Sequence, residues 1–485
     1  MERSPTAMMK LAVYKKVPEA APPAKGGVLD LDVTTGAQDL CAIENRLKKM
    51  NGLRGYPHPL YDNAIATRRD WFILRGDATM WHLDIAAPIV VGRKFRKRYE
   101  VEDVDWGALR SDHRRTDGAD EVSILSVSLQ DQARLALSKF AFNAHGLFAP
   151  QWIVCPSPLQ YALEQVVTPG ATAFSWRWTN ERVFVDCSFN REAKTLFVSS
   201  RSLARIRTIV RSANGASYVA PLADAIIHTA RRTAYGVISR IGRATGSRTI
   251  GKRRLLQGTV IALIGPDGVG KSTQSKAIAD FFGRKLACAP IYFGSNDGSW
   301  MRVRKKLQLW RNRTDRPSSE HSDTAKRTWL HAHGSALWRI IVAINRRFAL
   351  WQAKRLAQRG VIVIADRWPQ SEEPGILDGP SLRPSAKFPL ARALWSIEHR
   401  IYQKMSLHQP GLAIHLDCDF STSHARKPGD IGANAFAARI ALMERLRAKH
   451  KGVVLLDGRR SQDDVFADLL AAIWEHICAT NRIEK

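Results

Sequence analysis

A glycine-rich motif begins at Gly265, reads Gly-Pro-Asp-Gly-Val-Gly-Lys-Ser-Thr, and fits the pattern G-x-x-x-x-G-K-[ST] in full. Its glycines allow a tight turn whose backbone N–H groups point inward, and these groups can hold phosphates together with the positive end of a following helix. Lys271 is expected to reach the β- and γ-phosphates of ATP, and Ser272 to bind Mg²⁺. The predicted nucleotide-contacting residues are Gly265, Asp267, Gly268, Val269, Gly270, Lys271, Ser272 and Thr273.

The segments on either side of the motif have the required secondary structure. Thr259 to Ile264 is a β-branched apolar run long enough for one buried strand, and Ser272 to Phe282 has the pattern of a helix. An ordinary glycine turn before a helix is the alternative, but two glycines, a lysine and a hydroxyl seldom fall at these spacings by chance. The order of strand, glycine turn and helix therefore favours a phosphate-binding loop.

Further apolar runs follow the motif and alternate with helical segments. These runs are Pro290–Phe293, Val361–Ile364, Leu412–Leu416 and Val453–Leu456. Such alternation predicts an α/β domain over residues 258–485, with a five-stranded parallel sheet covered by helices on both faces. Because ligands bind at the carboxyl ends of the strands in such sheets, Asp366, Asp417 and Asp457 are candidate site residues.

Asp366 and Arg367 form a charged pair directly after the third of these strands. The carboxylate of Asp366 can help to bind Mg²⁺ or can orient an acceptor oxygen. The guanidinium of Arg367 can hold an anionic acceptor in the two-point geometry that suits phosphate. A structural ion pair at a strand end is the alternative, but the position within a phosphate-loop sheet favours the functional interpretation.

Taken in order, these motifs resemble the thymidylate kinase family of P-loop nucleoside monophosphate kinases over about residues 258–480. The carrying features are the acidic phosphate loop, the Asp-Arg-aromatic motif, a fourth strand followed by Arg426-Lys427-Pro428 in the position of a lid, and a last strand before a closing helix. The resemblance implies an ATP- and Mg²⁺-dependent phosphotransferase in which Lys271 and Ser272 serve the donor phosphates and Mg²⁺, and Asp366 and Arg367 serve the acceptor. It also implies that Arg426 neutralises the transferring phosphoryl group, in agreement with the lack of an arginine in the loop itself.

Two departures from that family leave the acceptor open. The segment from Pro369 to Pro380 stands where the family continues with a Ser and an Ala-Tyr-Gln segment that lines the base pocket, and the acidic lid signature is absent. The acceptor is then a nucleoside monophosphate or similar small anion, or a sugar intermediate of surface polysaccharide synthesis. A regulatory or membrane-surface-associated protein that uses ATP binding as a switch is the alternative from a different class.

Three aspartates in the N-terminal part resemble the carboxylates of the nucleotidyltransferase superfamily. Asp30 and Asp32 alternate on one face of a predicted strand, and Asp84 lies on a later strand. The resemblance implies an α+β domain over residues 28–200 whose carboxylates bind a divalent metal. A structural domain of another kind is the alternative, since D-x-D is common on strands. Residues 1–27 carry several prolines and glycines and are predicted to be a flexible lead-in.

Basic residues are concentrated between the two predicted domains. The chain of 485 residues has a formal net charge of +29, and residues 201–257 hold 12 lysines and arginines against one acidic residue. This basic helical connector can pack on a neighbouring domain, which we favour, or contact an anionic membrane surface. Nucleic acid is not the expected partner, because no helicase-type motifs accompany the phosphate loop.

A long helical pattern covers Lys326 to Gln358, and its large apolar residues recur near one stripe. We expect this stripe to be buried in the core, with the neighbouring arginines extending to solvent. The stripe residues are Trp329, Leu330, Trp338, Ile341, Ile344, Phe348 and Trp351.

The remaining features predict a cytoplasmic, globular protein. The six cysteines are scattered without a C-x-x-C pair, which argues for reduced thiols. The sequence shows no signal peptide and no apolar run long enough for a membrane span. Hydrophobic residues make up 45% of the chain and charged residues 25%, as in globular proteins. The oligomeric state stays open, with a homodimer as one option.

Overall fold

The computed structural model divides the chain into two compact units, residues 1–245 (unit 1) and residues 246–485 (unit 2). The structure describes residues 9–13, 26–34, 39–57, 68–87, 90–93, 97–100, 122–126, 135, 137–138, 141–142, 152–154, 173–178, 181–190, 195–214, 218–219, 222–244, 248–294, 324–374, 376–382, 389–428, 432–449 and 452–482.

A six-stranded mixed sheet forms the main layer of unit 1, in the strand order β3-β4-β5-β2-β1-β8. Its strands are β1 (Met9–Val13), β2 (Val28–Thr34), β3 (Leu53–Gly55), β4 (Arg68–Leu74), β5 (Met80–Ala86) and β8 (Val122–Ser126). Side chains alternate between the two faces, so the apolar residues gather on one of them. That face packs on helix α1 (Leu40–Lys49) and includes Leu31, Val33, Trp71, Ile73, Leu83 and Ile85.

The prediction of a flexible lead-in is wrong for residues 9–13. This segment is strand β1, which pairs antiparallel with β2 and parallel with β8. Its sequence, Met-Lys-Leu-Ala-Val, suits an inner strand, and the proline-rich stretch that suggested a lead-in comes after it. Apart from Gly26 and Gly27, the rest of the predicted lead-in lies outside the described residues.

Two smaller sheets also belong to unit 1. One is antiparallel, in the order β10-β11-β12-β9, and the other is β13-β7-β6. The first of these sheets joins apolar runs between residues 173 and 198 as antiparallel neighbours. The strands are β6 (Val90–Arg93), β7 (Lys97–Glu100), β9 (Trp152–Val154), β10 (Ala173–Trp178), β11 (Glu181–Asn190), β12 (Thr195–Val198) and β13 (Tyr218–Val219).

The connector predicted over residues 201–257 is not a separate segment. Helices α2 (Ser200–Asn214) and α3 (Leu222–Ala244) belong to unit 1, and β13 between them pairs with β7. α2 is amphipathic and buries Ile206 and Val210, so it packs within unit 1. Packing on a neighbouring domain and contact with a membrane surface both stay predictions. α3 differs, because several of its large apolar residues are exposed.

The polar face of the main sheet gathers aspartates around His82. In the parallel register of β2 and β5, Asp30 lies opposite His82 and Asp32 opposite Asp84. The Nδ1 atom of His82 lies 2.5 Å from Asp30 and its Nε2 atom 2.9 Å from Asp70. Among the described residues, no group of three or more His, Cys, Asp or Glu side chains could hold a metal ion. The metal site at Asp30, Asp32 and Asp84 stays a prediction, and in the structure Asp30 contacts the imidazole of His82.

We expect the stability of unit 1 to depend on pH through His82. Burial alone would lower the pKa of His82, but hydrogen bonds to Asp30 and Asp70 and their charges raise it. A raised folded-state pKa stabilises the fold fully below the unfolded value of about 6.5, and this contribution is lost as the pH rises through the folded value. Pulse proteolysis in urea should show this loss in the wild type and a flatter profile in His82→Gln. Identical profiles would contradict the assignment.

Unit 2 is an α/β fold on a five-stranded, all-parallel sheet in the order β15-β16-β14-β17-β18. Helices flank the sheet: α5 and α6 pack on β14 and β16 through a buried cluster, and α4 packs on α9. The predicted fold class, with a separate N-terminal α+β region, is confirmed. The elements are β14 (Thr259–Ile264), α4 (Lys271–Gly283), β15 (Cys288–Tyr292), α5 (Thr324–Ala357), β16 (Ile362–Asp366), α6 (Pro389–Ser406), β17 (Leu412–Asp417), α7 (Phe420–Arg426), α8 (Ala433–Lys449), β18 (Val453–Asp457) and α9 (Gln462–Arg482).

The predicted buried stripe of α5 is wrong for three of its members. Ile344, Phe348 and Trp351 are each more than half exposed, and Phe348 stacks on Trp351 with 5.5 Å between ring centroids. Ala343, Leu350 and Ala353 face the sheet instead, and the two alanines let the helix approach the strands closely. The side chains of Trp329 and Leu330 lie outside the described residues.

None of the helices that the structure describes could span a membrane, because none is both long enough and apolar enough. α5 is long enough, but lysines and arginines recur along it.

Candidate phosphate-binding site

The loop between β14 and α4 has the geometry of a phosphate cradle. Gly268 and Gly270 adopt φ angles of 86° and 98°, which side-chain-bearing residues rarely adopt. A Cβ atom on Gly268 would also lie 2.7 Å from the carbonyl oxygen of Ser423, where α7 approaches the loop. Val269 is buried and anchors the turn. The helix begins at Lys271, so its positive end opens onto the loop.

Lys271 is the buried cation of the loop, with only 6% of its side chain exposed. Its Nζ atom donates a hydrogen bond to the carbonyl oxygen of Pro266 at 2.6 Å and lies 3.9 Å from Asp267 Oδ1. Burial lowers the pKa of Lys271 to about 8, against the opposing charge of Asp267. The ammonium group is therefore held inside the turn, where phosphate oxygens can take over its contacts.

Ser272 and Asp366 meet where the loop faces the end of β16. The Ser272 hydroxyl donates a hydrogen bond to Asp366 Oδ2 at 2.5 Å. Asp366 is 5% exposed, and its Oδ1 atom is buried with no hydrogen-bond partner among the described residues. The Ser272 hydroxyl and the Asp366 carboxylate provide oxygen atoms, which are the ligands that Mg²⁺ prefers. The structure thus brings together Ser272 and Asp366, the two residues predicted to bind Mg²⁺.

Arg367 links the end of β16 to two aspartates. Its backbone has a φ of 74°, which is uncommon for a residue other than glycine and costs on the order of 1–3 kcal/mol. Its guanidinium donates hydrogen bonds to Asp378 Oδ2 at 3.2 Å and to Asp267 Oδ1 at 3.0 Å. The two ion pairs fix the direction of this side chain.

Arg346 of α5 in turn fixes Asp378. Its buried guanidinium donates to Asp378 Oδ1 at 2.7 Å, to the carbonyl oxygen of Phe293 at 2.6 Å and to the Tyr402 hydroxyl at 2.5 Å. Its hydrogen-bonding groups are thus largely engaged by the protein. Arg346 is therefore suited to position Asp378 and, through it, Arg367.

Asp267 gathers cations at the loop. Its Oδ1 atom faces Arg367 and Lys271, and its Oδ2 atom accepts a hydrogen bond from Arg439 of α8. Burial alone would raise the pKa of Asp267, but the charges of these three cations lower it. The outcome is a row of alternating charges, in the order Arg346, Asp378, Arg367, Asp267 and Arg439.

A cavity of about 360 Å³ opens beside these groups, within the size range of small-molecule sites. Positive side chains outnumber negative ones in its lining, so it suits an anionic ligand that also has an apolar or aromatic part. The charged lining residues are Asp267, Lys271, Arg339, Arg346, Arg367, Asp378 and Arg439, and the larger apolar ones are Ile264, Trp338, Val342, Trp368, Leu377, Met443 and Leu446.

The segment that departs from the thymidylate kinase pattern contributes one wall of the cavity. The Gln370 amide donates hydrogen bonds to the carbonyl oxygens of Glu373 and Ile376, at 2.7 and 2.6 Å. Its oxygen accepts from the N–H groups of Glu372 and Glu373, at 2.6 and 3.0 Å. All these contacts are made within the segment from Pro369 to Pro380. They occupy the side-chain amide of Gln370, so this residue stabilises the wall of the cavity and does not select the ligand.

Arg426 is not among the residues that line the cavity. Its guanidinium donates to the carbonyl oxygens of Gly458, Arg459 and Arg460, at 2.7, 3.3 and 3.5 Å. Asp457 is bound in the same region by Arg459, whose hydrogen bond lowers the pKa of Asp457 to about 2. The structure therefore brings Lys271, Ser272, Asp366 and Arg367 together and leaves Arg426 and Asp457 at the turn after β18.

Three residues of the site, Arg439, Asp378 and Arg346, were not predicted from the sequence. Arg346 carried a usable signal, since a charged residue between apolar helix positions needs an acidic partner when it is buried. Asp378 and Arg439 carried none, because their partners belong to distant segments of the chain.

Comparisons with known proteins agree with this geometry. No protein-family model matches the chain. A protein of Escherichia coli (strain K12) named Uncharacterized ATP-binding protein YghR is 28% identical over 225 residues, which cover 44% of this chain and 86% of that protein. Uncharacterized ATP-binding protein YghS, from the same organism, is 29% identical and is covered to 92%. This chain contains a P-loop-like domain.

Among solved structures, the crystal structure of APE1195 overlaps 46% of this chain and 97% of its own, at 15% identity and a TM-score of 0.21. A score this low carries no argument about the fold. The assignment of the P-loop-like domain rests on the loop motif, its geometry and the two similar proteins.

Proposed function

We propose that the P-loop-like domain is an ATP-dependent phosphotransferase that moves the γ-phosphoryl group of ATP to a nucleoside monophosphate or a similar small anionic acceptor. The proposal rests on one observation: Lys271, Ser272 and Asp366 meet at a loop that adjoins an arginine-lined cavity. The names of the two similar E. coli proteins support ATP as the donor. A kinase needs donor and acceptor sites side by side, whereas a nucleotide switch needs only the first.

The loop would place the donor phosphates. Its backbone N–H groups and the N-terminus of α4 favour negative charge, and Lys271 adds a full positive charge. Ser272 and Asp366 would hold Mg²⁺, which neutralises charge on the phosphate oxygens when bound. The protein contributes positioning and charge neutralisation, without a covalent intermediate.

The cavity would place the acceptor. Arg367 is fixed by Asp267 and Asp378 and offers a guanidinium to an anionic group. Trp368 lines the cavity and packs on Phe293, with 5.2 Å between ring centroids, which suits an apolar or aromatic part of the ligand. A phosphate oxygen on the acceptor is already anionic, so the transfer needs no protein base.

ADP formation tests this proposal. The full chain is incubated with ATP, Mg²⁺ and a panel of nucleoside monophosphates and sugar phosphates, thymidylate included, and the products are identified by mass. We expect at least one acceptor to stimulate ADP formation and to gain one phosphoryl group. If ATP binds and no acceptor in the panel stimulates its turnover, the phosphotransferase assignment is contradicted and a nucleotide-switch role is favoured.

Replacing Arg367 with alanine should chiefly weaken use of the acceptor. Loss of a charge-assisted hydrogen bond predicts a roughly tenfold or greater rise in the KM for the acceptor, with ATP affinity nearly unchanged. The KM is measured by steady-state kinetics with the acceptor that the panel identifies, and the ATP affinity is measured by titration with mant-ATP. Arg359→Ala is the matched control, because Arg359 is an exposed arginine that lies just after the end of α5. Lost ATP binding with an unchanged KM would contradict this role.

A second candidate function, contact with an anionic membrane surface, is supported by α3. Ile226, Ile227, Val237 and Ile241 are 61%, 49%, 50% and 55% exposed, and their helical spacing places them on one face. On the same helical period, Arg231 and Arg240 lie at the two borders of this face, and both are exposed. An apolar face bordered by arginines fits the interface of anionic lipids.

Vesicle binding tests this second candidate. We expect the chain to sediment with vesicles that contain phosphatidylglycerol and not with vesicles of phosphatidylcholine alone, and salt should weaken the binding. Ile226→Asp should reduce it. Ile397→Asp, at another exposed isoleucine, is the matched control and should not. Equal binding of both variants would contradict a role for α3.

A further inference from the structure

Two arginines that follow β17 could supply the cation that the phosphate loop lacks, and the structure separates them. Arg426 is engaged by carbonyl oxygens of the turn after β18, at 2.7 Å for Gly458. Arg439 lines the cavity and donates a hydrogen bond to Asp267, inside the loop. Of the two, only Arg439 stands beside the position that the donor phosphates would take.

We propose that Arg439 contacts the phosphoryl group during its transfer and is the catalytic cation of the domain. This inference rests on the proposed phosphotransferase function. As the bond from the γ-phosphorus to the bridging oxygen breaks and a bond to the acceptor oxygen forms, negative charge spreads over the transferring group and passes to ADP. A guanidinium beside Lys271 stabilises that charge. The electron pair of the broken bond leaves with ADP, and no further reactant is needed.

α8 holds Arg439 in place before a ligand binds. Phe436, earlier on the helix, is buried and packs on Phe420 of α7, with 5.6 Å between ring centroids. Leu442 and Met443, later on the helix, are buried as well. The helix is therefore anchored on both sides of Arg439, which limits the entropy lost when the guanidinium is ordered on a ligand.

Asp267 keeps the cations together until the phosphates arrive. Its carboxylate binds Arg439 and Arg367 and lies 3.9 Å from Lys271 Nζ. Without this anion the three cations would repel one another across the empty loop. A triphosphate carries more negative charge than one carboxylate, so it can take over these contacts when it binds.

A transition-state mimic tests the role of Arg439 without a known acceptor. The full chain is titrated with mant-ADP and Mg²⁺, with and without aluminium fluoride, which mimics the transferring group. We expect aluminium fluoride to tighten mant-ADP binding on the order of 10²-fold in the wild type, and most of this gain to be lost in Arg439→Ala. Affinity for mant-ADP alone should change by less than about threefold, because the contact is stronger in the transition state than in the ground state.

Arg445→Ala is the matched control. Arg445 lies on the same helix and pairs with Glu373 at the surface, so its removal should leave the tightening intact. Guanidinium chloride, below denaturing concentrations, should restore part of the tightening in Arg439→Ala and none in Lys271→Ala. A purely structural role would not give this rescue. Arg439→Gln gives the same test if the alanine variant does not fold.

The outcomes separate this inference from the proposed function. Full tightening in Arg439→Ala, or its loss in Arg426→Ala alone, would overturn the role of Arg439. A wild type that binds mant-ADP without any gain from aluminium fluoride would overturn it too. A wild type that fails to bind mant-ADP at all would contradict the proposed function itself.

Discussion

Replacing Lys271 with alanine is expected to lower the rate of phosphoryl transfer on the order of 10²–10³-fold, the usual effect of removing one preorganised donor to the transition state. The buried side chain donates a hydrogen bond to a backbone carbonyl oxygen of the loop and is not part of the hydrophobic core. The fold should therefore survive, as measured by thermal unfolding. Lys276→Ala is the matched control, because Lys276 lies on the same helix and is exposed.

The pKa of Lys271 adds a pH signature to this prediction. Burial lowers that pKa to about 8, and only the protonated ammonium attracts phosphate. Affinity for mant-ATP should therefore fall in the wild type as the pH rises through about 8. The profile of Lys271→Ala should be flatter over the same range. Unaltered activity in Lys271→Ala would remove the basis of the site assignment.

Asp366→Asn should produce the second large effect, on the order of a 10²-fold loss of phosphoryl transfer together with a higher Mg²⁺ requirement. The amide keeps an oxygen for the Ser272 hydroxyl, so the local fold should persist while the negative charge at the proposed metal site is lost. Titration of mant-ATP binding with Mg²⁺ measures the requirement independently of turnover.

Asp280→Asn controls for the loss of a carboxylate from this unit. Asp280 belongs to α4 and pairs with Arg248 at the surface, 2.7 Å away, so its removal should leave the Mg²⁺ requirement unchanged. If Asp366→Asn and the wild type require the same Mg²⁺ concentration, Asp366 does not hold the metal.

The sequence predicted the architecture of unit 2 well because its signals are local. The inner parallel strands β14, β16 and β17 are apolar runs that are largely buried, and Asp366 comes at the end of one of them. The carboxyl ends of parallel strands share one edge of the sheet, so the loop and Asp366 had to lie close together. Their hydrogen bond at 2.5 Å follows from that topology.

The partners of Asp267 could not be predicted in the same way. Arg439 reaches it from a helix far along the chain, and the position of that helix depends on how α7 and α8 pack. Arg426 carried the stronger local signal, since it sits where a lid arginine is expected. Tertiary packing directed its guanidinium to backbone carbonyls instead.

The misplaced residues of α5 and β1 have a different cause. Large apolar side chains on α5 suggested a core stripe, but the sheet accepts the face with small residues, so Phe348 and Trp351 face solvent. At β1, the prolines that follow the short apolar segment favoured the prediction of a flexible lead-in over that of a strand. In both cases the partner surface, which the local sequence does not contain, decided the outcome.

The most direct test of the central claim follows the γ-phosphoryl group itself. The full chain is incubated with Mg²⁺, γ-³²P-labelled ATP and the monophosphate panel, and the labelled products are separated. Our account predicts label on one acceptor in the wild type and in Lys276→Ala, and none in Lys271→Ala. Label that appears only as inorganic phosphate, or on an acceptor regardless of Lys271, would contradict it.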